Sequence, residues 1–137
     1  AQLGRAEAMR ERRTAIAQRY AQALGAREDV ELLTHSNDRT DAHHLFVMKP
    51  RLEALTVDRD ALITELKELG IGCSVHFIPL HMHPYYRDTF GYRPSDLPVA
   101  EAAYRRSISL PLFSAMSDAQ VERVIDSVTR TLDRRRR

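Results

Sequence analysis

Apolar residues recur at helical spacing along the first 24 positions: Leu3, Ala6, Met9, Ile16, Tyr20, Ala23 and Leu24, with arginines and glutamates between them. The pattern predicts one long helix that stops at Gly25. Its opening, Ala1-Gln2-Leu3-Gly4, holds no capping signal, which implies that the helix continues from a longer chain. Val30 to Leu33 reads as a short strand and residues 34–41 as a polar turn. From His43 to Lys49 the periodicity changes to two: Leu45 and Val47 fall on one face, Phe46 and Met48 on the other. Both faces are apolar, so this strand is expected to be covered on both sides, with Pro50 ending it.

Asp58 stands where a helix cap belongs, and Leu62, Ile63, Leu66 and Leu69 form the core stripe of a helix over residues 59–69 that Gly70 closes. A second alternating stretch, Ile71 to Phe77, predicts a strand with Ile71, Cys73, Val75 and Phe77 on one face and Gly72, Ser74 and His76 on the other. Pro79, Pro84 and the pair Tyr85-Tyr86 read as an irregular loop. Pro98 opens a helix to Arg106, and Ile108 to Leu112 is a short strand. Ser117 with Gln120 is a capping box for a final helix striped by Val121, Val124, Ile125, Val128 and Leu132. The fold class expected is α+β: a three-stranded, mostly antiparallel sheet with helices on one face, preceded by a long helix. The second sheet face, with Gly72, Ser74, His76, Ser107 and Ser109, is expected to be wet or packed on another domain.

The length of 137 residues allows one domain or a piece of a larger protein. With 43% hydrophobic and 29% charged residues, disordered and fibrous classes are excluded. No uncharged run approaches the ~20 apolar residues of a membrane span, and no leader opens the chain. Cys73 is the only cysteine, so no internal disulfide forms and a cytoplasmic setting is expected. The net charge of +2 rests on Arg134 to Arg137; without those four the balance is 17 basic against 19 acidic residues. The body is therefore no nucleic-acid binder, and the basic end reads as a frayed helix terminus that suits the helix dipole. Lysine is scarce: Lys49 and Lys67 stand against nineteen arginines, which leaves two candidates for Schiff-base chemistry.

Candidate chemistry concentrates in His76-Phe77-Ile78-Pro79-Leu80-His81-Met82-His83-Pro84-Tyr85-Tyr86. Two prolines restrict the backbone between three histidines, and imidazoles and tyrosines suit flat rings, sugars and phosphates. This reads as a substrate-binding loop. A metal site from His76, His81 and His83 lacks the i, i+4 register and a nearby carboxylate, so no metal is expected. His43 and His44 start a strand and read as packing or interface groups. Cys73 reads as inert packing, and the scattered glycines form no phosphate loop.

Five segments, in order, resemble the C-terminal part of the DegT/DnrJ/StrS family of sugar aminotransferases, which are fold-type-I enzymes that use pyridoxal phosphate. Arg12-Arg13-Thr14-Ala15-Ile16 through Tyr20 is similar to the family's interdomain helix, and His44-Leu45-Phe46-Val47 to a strand of its small domain. Asp58 through Gly72 resembles the helix and strand that follow. Val75-His76-Phe77-Ile78-Pro79-Leu80-His81 with Pro84-Tyr85-Tyr86 resembles its most distinctive signature, and Pro98-Val99-Ala100-Glu101 with Ser109-Leu110-Pro111-Leu112 completes the series. The family has an aromatic residue in many members where His43 stands.

The resemblance implies residues 1–29 as an interdomain helix and turn and residues 30–137 as the small C-terminal domain, with the large cofactor-binding domain absent. It implies a parent that transfers an amino group, from glutamate in most members, to a keto group on a nucleotide-linked sugar, and that works as a homodimer. His76, Phe77, His81 and Tyr85 are then the substrate-facing residues. Neither lysine matches the family's catalytic lysine, so no catalytic or cofactor-binding residue is expected in this chain, which alone should be inactive. The apolar stripe with Leu3, Ile16 and Tyr20 would face the large domain. Two alternatives stand beside this: a sister sugar dehydratase in which histidine replaces the lysine, and a stand-alone binding or regulatory module.

Overall fold

The computed structural model describes residues 3–34 and 38–137; part of the expected turn over 34–41 and the first two residues lie outside the described residues. Helix α1 (Ala6–Leu24) is preceded by a 3-10 turn, Leu3–Arg5, and Arg5 makes no side-chain cap bond. The sheet contains β1 (Val30–Leu32), β2 (Phe46–Pro50) and β3 (Ile108–Leu110), in that spatial order and antiparallel throughout. Val30 pairs with Pro50, Leu32 with Met48, Met48 with Ile108, and Phe46 with Leu110. These residues share one face, since side chains alternate along each strand. Against that face pack α1, α2 (Arg59–Glu68) and α5 (Asp118–Arg135), through Ile16, Tyr20, Leu24, Leu62, Leu66, Val121, Val124, Val128 and Leu132, all buried.

The caps are those the sequence predicts. The Ala61 amide donates to Asp58 at 2.9 Å. The Gln120 amide donates to Ser117 Oγ at 3.2 Å while the Ser117 amide donates back to Gln120 Oε1 at 2.9 Å. Gly70 closes α2 with φ of 77°, and a Cβ there would stand 2.8 Å from the Arg123 guanidinium, which itself donates to the Leu69 carbonyl. The positive φ is what favours glycine here, since the guanidinium ends a flexible side chain that can shift.

Five local expectations need correction, four in the body of the fold and one at its C-terminal end. First, His43 to Leu45 do not join β2. The His43 amide donates to Asp41 Oδ1 at 2.6 Å and the residue sits at φ of 44°, so the chain is still turning there. Leu45 is 40% exposed and Val47 half-buried, so the second face of β2 is only partly covered. Second, residues 71–77 are not a strand. Ser74 alone bridges to Ser109, by bonds of 3.1 and 2.8 Å. The Cys73 amide bonds the Ile71 carbonyl at 3.1 Å, which bends the segment and removes a ladder donor. Phe77 ends 86% exposed. Third, the loop expected after Pro84 contains α3 (Pro84–Phe90), stopped by Gly91 at φ of 73°.

Fourth, Ile16 and Tyr20 of the first helix need no second domain to cover them. Ile16 and Tyr20 are fully buried in this chain's own core; Leu3 alone of the three is exposed. Tyr20 Oη donates to the Pro111 carbonyl at 2.9 Å, and its ring meets Phe46 edge-on at 5.1 Å. α4 (Pro98–Arg106) approaches the opposite sheet face, where Arg106 and Lys49 both pair with Glu31. That face is dry at Ser109, which is 4% exposed with no hydrogen-bond partner for its hydroxyl among the described residues.

The C-terminal arginines are docked, not frayed. Arg134 and Arg135 both bond Glu65, at 2.9 and 2.8 Å. The Arg135 carbonyl accepts from the Thr56 amide at 2.8 Å, and Arg137 donates to the carbonyls of Ala54 and Leu55 at 3.0 and 2.7 Å. Two guanidinium donors hold the Glu65 carboxyl below its usual range, Arg135 foremost. No helix among the described residues is long and apolar enough to cross a membrane.

Candidate functional site

Between Gly72 and Val99 the chain leaves the core as a flap built from a 3-10 turn at Leu80–Met82, α3, a second 3-10 turn at Pro94–Asp96, and the start of α4. Proline sets its corners: Pro84, Pro94 and Pro98 each open a helical turn, where the missing N–H costs nothing. Of the described residues from 72 to 99, His81 is the only one that is buried.

The flap sorts the expected site residues into three settings. His76 and Phe77 are exposed neighbours whose rings meet edge-on at 5.1 Å. Tyr85, 66% exposed, belongs to a separate ring cluster with Tyr86 at 5.3 Å and Phe90 at 6.1 Å, and Phe90 in turn meets Tyr92 at 6.2 Å. His81 is turned inward at 4% exposure, with Nε2 3.3 Å from the Pro94 carbonyl. His83 likewise bonds its own loop, Nε2 lying 3.2 Å from the Ile78 carbonyl. Three of the four expected residues thus stand at the surface, and the fourth lies beneath it.

Phe77, Leu80, Tyr85, Phe90 and Val99 are each at least 60% exposed. Large apolar groups left this open make the flap a candidate contact surface. An open groove of about 350 Å³ lies at the flap's root, with Ile71, Gly72, Pro111, Phe113 and Val124 among its walls. Among the described residues nothing lies within 4 Å of a Cβ placed on Gly72, so the lack of a side chain there answers to none of their packing.

Elsewhere the chemistry is quiet. Burial pushes the Cys73 thiol up to about 11, far from the range of a nucleophile. Among the described residues no three metal-ligating side chains converge. The two lysines are the residues to weigh against pyridoxal phosphate. Lys49 is engaged by Glu31, whose carboxyl the lysine and Arg106 hold below its usual range. Lys67 is exposed on α2.

Sequence reasoning missed α3, although Pro84 and Gly91 bracket it and the Tyr86–Phe90 spacing lets those rings stack at 6.1 Å. It also missed the inward turn of His81, for which no sequence signal exists: its acceptor is a backbone carbonyl thirteen residues away.

The family model of the DegT/DnrJ/EryC1/StrS aminotransferases matches residues 1–129. The spore coat polysaccharide biosynthesis protein SpsC of Bacillus subtilis is 43% identical over 128 residues, which is 93% of this chain and 33% of SpsC. The aminotransferase TlmJ of Streptoalloteichus hindustanus superposes with a TM-score of 0.84 at 30% identity, over 97% of this chain and 34% of TlmJ. Spr1654 of Streptococcus pneumoniae, assigned as a sugar aminotransferase and solved in its PLP form, gives 0.84 at 27% identity, over 97% of this chain and 33% of that one. The chain spans about a third of the length of the relatives it matches.

Proposed function

The chain belongs to the DegT/DnrJ/EryC1/StrS aminotransferase family, and from that premise we propose that it is the C-terminal domain of a pyridoxal-phosphate-dependent sugar aminotransferase. On this reading residues 1–29 link it to a large domain that holds the cofactor, and residues 30–137 form the small domain. The enzyme works as a homodimer in the cytoplasm and transfers an amino group from glutamate to the keto group of a nucleotide-linked sugar. The place of SpsC in polysaccharide biosynthesis and the assignment of Spr1654 to sugars favour that substrate class. Without the large domain the chain neither catalyses nor binds the cofactor.

One observation carries the reading: the family's signature segment forms a flap that spends almost nothing on its own core and presents the paired rings of His76 and Phe77 to the outside. An imidazole N–H directed at a sugar hydroxyl or a phosphate makes a short polar contact, and the phenyl face excludes water beside it. Tyr85 offers a second ring with a hydroxyl, which suits the rim of the same ligand. The chain's own part in the reaction is to bind and orient the sugar nucleotide; the cofactor, held elsewhere, supplies the amino-transfer chemistry.

The test for this chain is direct. Incubation with pyridoxal phosphate, borohydride reduction and peptide mass analysis should leave Lys49 and Lys67 unmodified beyond the level of a surface lysine on an unrelated protein. Stable stoichiometric labelling of either lysine would overturn the reading that the cofactor site lies outside these residues.

A further inference from the structure

The flap's only buried residue is a histidine, and its bond explains how so exposed a segment keeps a shape. A carbonyl oxygen only accepts, so His81 Nε2 must carry the ring proton and donate it to Pro94. That bond ties the turn at Leu80–Met82 to the turn at Pro94–Asp96, across the whole of α3. His83 makes a shorter tie by the same logic, its Nε2–H donating to the Ile78 carbonyl. Among the described residues no other hydrogen bond joins the two turns: Met82 to Pro79 and His83 to Leu80 lie within one, Asp96 to Arg93 and Leu97 to Pro94 within the other, and Arg87 and Glu101 bond back only to His83 and Leu97 at the starts of the helices that follow.

We propose that His81 is a positioning residue: its Nε2–H bond to Pro94 closes the flap on itself and so holds His76, Phe77 and Tyr85 in the arrangement that meets the sugar nucleotide. This rests on the proposed function for its last step, but not for the tether itself. Both turns flank α3, so releasing the bond frees Tyr85 directly and loosens Pro79 and Ile78, which lead back to Phe77 and His76. His81 touches no ligand in this account.

Three measurements decide it. Long-range 1H–15N spectra of the wild-type chain should show His81 as the Nε2–H tautomer. In His81→Ala, amide exchange at Met82, His83 and Asp96 should quicken roughly threefold to tenfold, the worth of one hydrogen bond, while Val128 in α5 keeps its wild-type rate. His81→Gln places an N–H near the lost position and should restore most of the protection; His81→Asn is too short and should not. In the full-length enzyme His81→Ala should raise KM for the sugar nucleotide by a similar factor with kcat little changed, and His81→Gln should recover it. An Nδ1–H tautomer, wild-type exchange in His81→Ala, or equal behaviour of the Gln and Asn variants would overturn the tether. Faster exchange in His81→Ala together with wild-type KM in His76→Ala and Phe77→Ala would uphold the tether and overturn the proposed function instead.

Discussion

Tyr20 is the place to test whether the first helix belongs to this domain's core or merely leads into it. Its side chain is 0% exposed, its ring stands edge-on to Phe46 at 5.1 Å, and its hydroxyl donates to the Pro111 carbonyl at 2.9 Å. Burial raises the phenol above its ordinary range, so the donor stays protonated at any working pH. Tyr20→Phe removes the donor alone and leaves the Pro111 carbonyl short of a partner, a loss of about 1–2 kcal/mol. Tyr20→Ala removes the ring as well. Truncating a buried aromatic costs about 3–5 kcal/mol, a large share of the roughly 5–15 kcal/mol that holds a domain together. At about 4 °C per kcal/mol for a domain of this size, the two variants should melt roughly 4–8 °C and 12–20 °C below wild type. Urea titrations followed by far-UV circular dichroism give the free energies, and an unchanged m-value would show that one cooperative unit is being measured. A loss under about 1 kcal/mol in Tyr20→Ala would refute the reasoning, because α1 would then be an appendage whose detachment leaves the core intact.

Further outcomes follow from the charged and sulfur groups. Asp29 is buried and receives two bonds from Arg27, at 2.8 and 2.7 Å, which hold its carboxyl below the usual range. A depressed folded pKa gives stability that is fully present above the unfolded value of about 3.9 and is lost as pH falls through the folded one. Denaturant titrations from pH 6 down to 2 should therefore show stability falling below about pH 4, and Asp29→Asn should flatten that fall while costing about 2 kcal/mol at neutral pH. Deleting Arg134 to Arg137 should destabilise the chain by about 1–3 kcal/mol, mostly through the backbone bonds to Ala54 and Thr56, since exposed ion pairs contribute little. An unchanged melting point would return the tail to the status of a frayed end. Cys73 should react with iodoacetamide at pH 8 at least tenfold more slowly than a small free thiol, because at pKa about 11 little thiolate exists, and unfolding in urea should abolish the difference.

What the sequence shows, and what it hides, divides along the range of the interaction. Helices α2 and α5 are legible to the residue at their starts because Asp58 and Ser117 act within three positions of themselves. The strand over 71–77 is not, because alternation shows which side chains share a face but not whether a neighbouring strand is there to pair. β3 is three residues long and engages β2 along its length, so it offers the segment a single bridge at Ser74. β1 fills the third place in the sheet instead. The candidate site divides in the same way. His76, Phe77 and Tyr85 are visible as chemistry in the sequence and stand at the surface in the structure. The inward turn of His81 depends on where Pro94 arrives after α3, and nothing local encodes that. The docked arginines also depend on distant partners, Glu65 and the carbonyls of residues 54 and 55, so the tail looks free in the sequence.

The central claim is that the flap meets the substrate of a sugar aminotransferase. Its most direct test is kcat/KM for the nucleotide-linked keto sugar in the full-length enzyme, wild type against His76→Ala. His76 is exposed and touches only Phe77 among the rings of the flap, so its removal leaves the fold unburdened. Loss of one polar contact to a charged or strongly polar ligand should lower kcat/KM by roughly tenfold to a hundredfold, with the cofactor absorbance of the resting enzyme unchanged. Wild-type kcat/KM in His76→Ala would contradict the account.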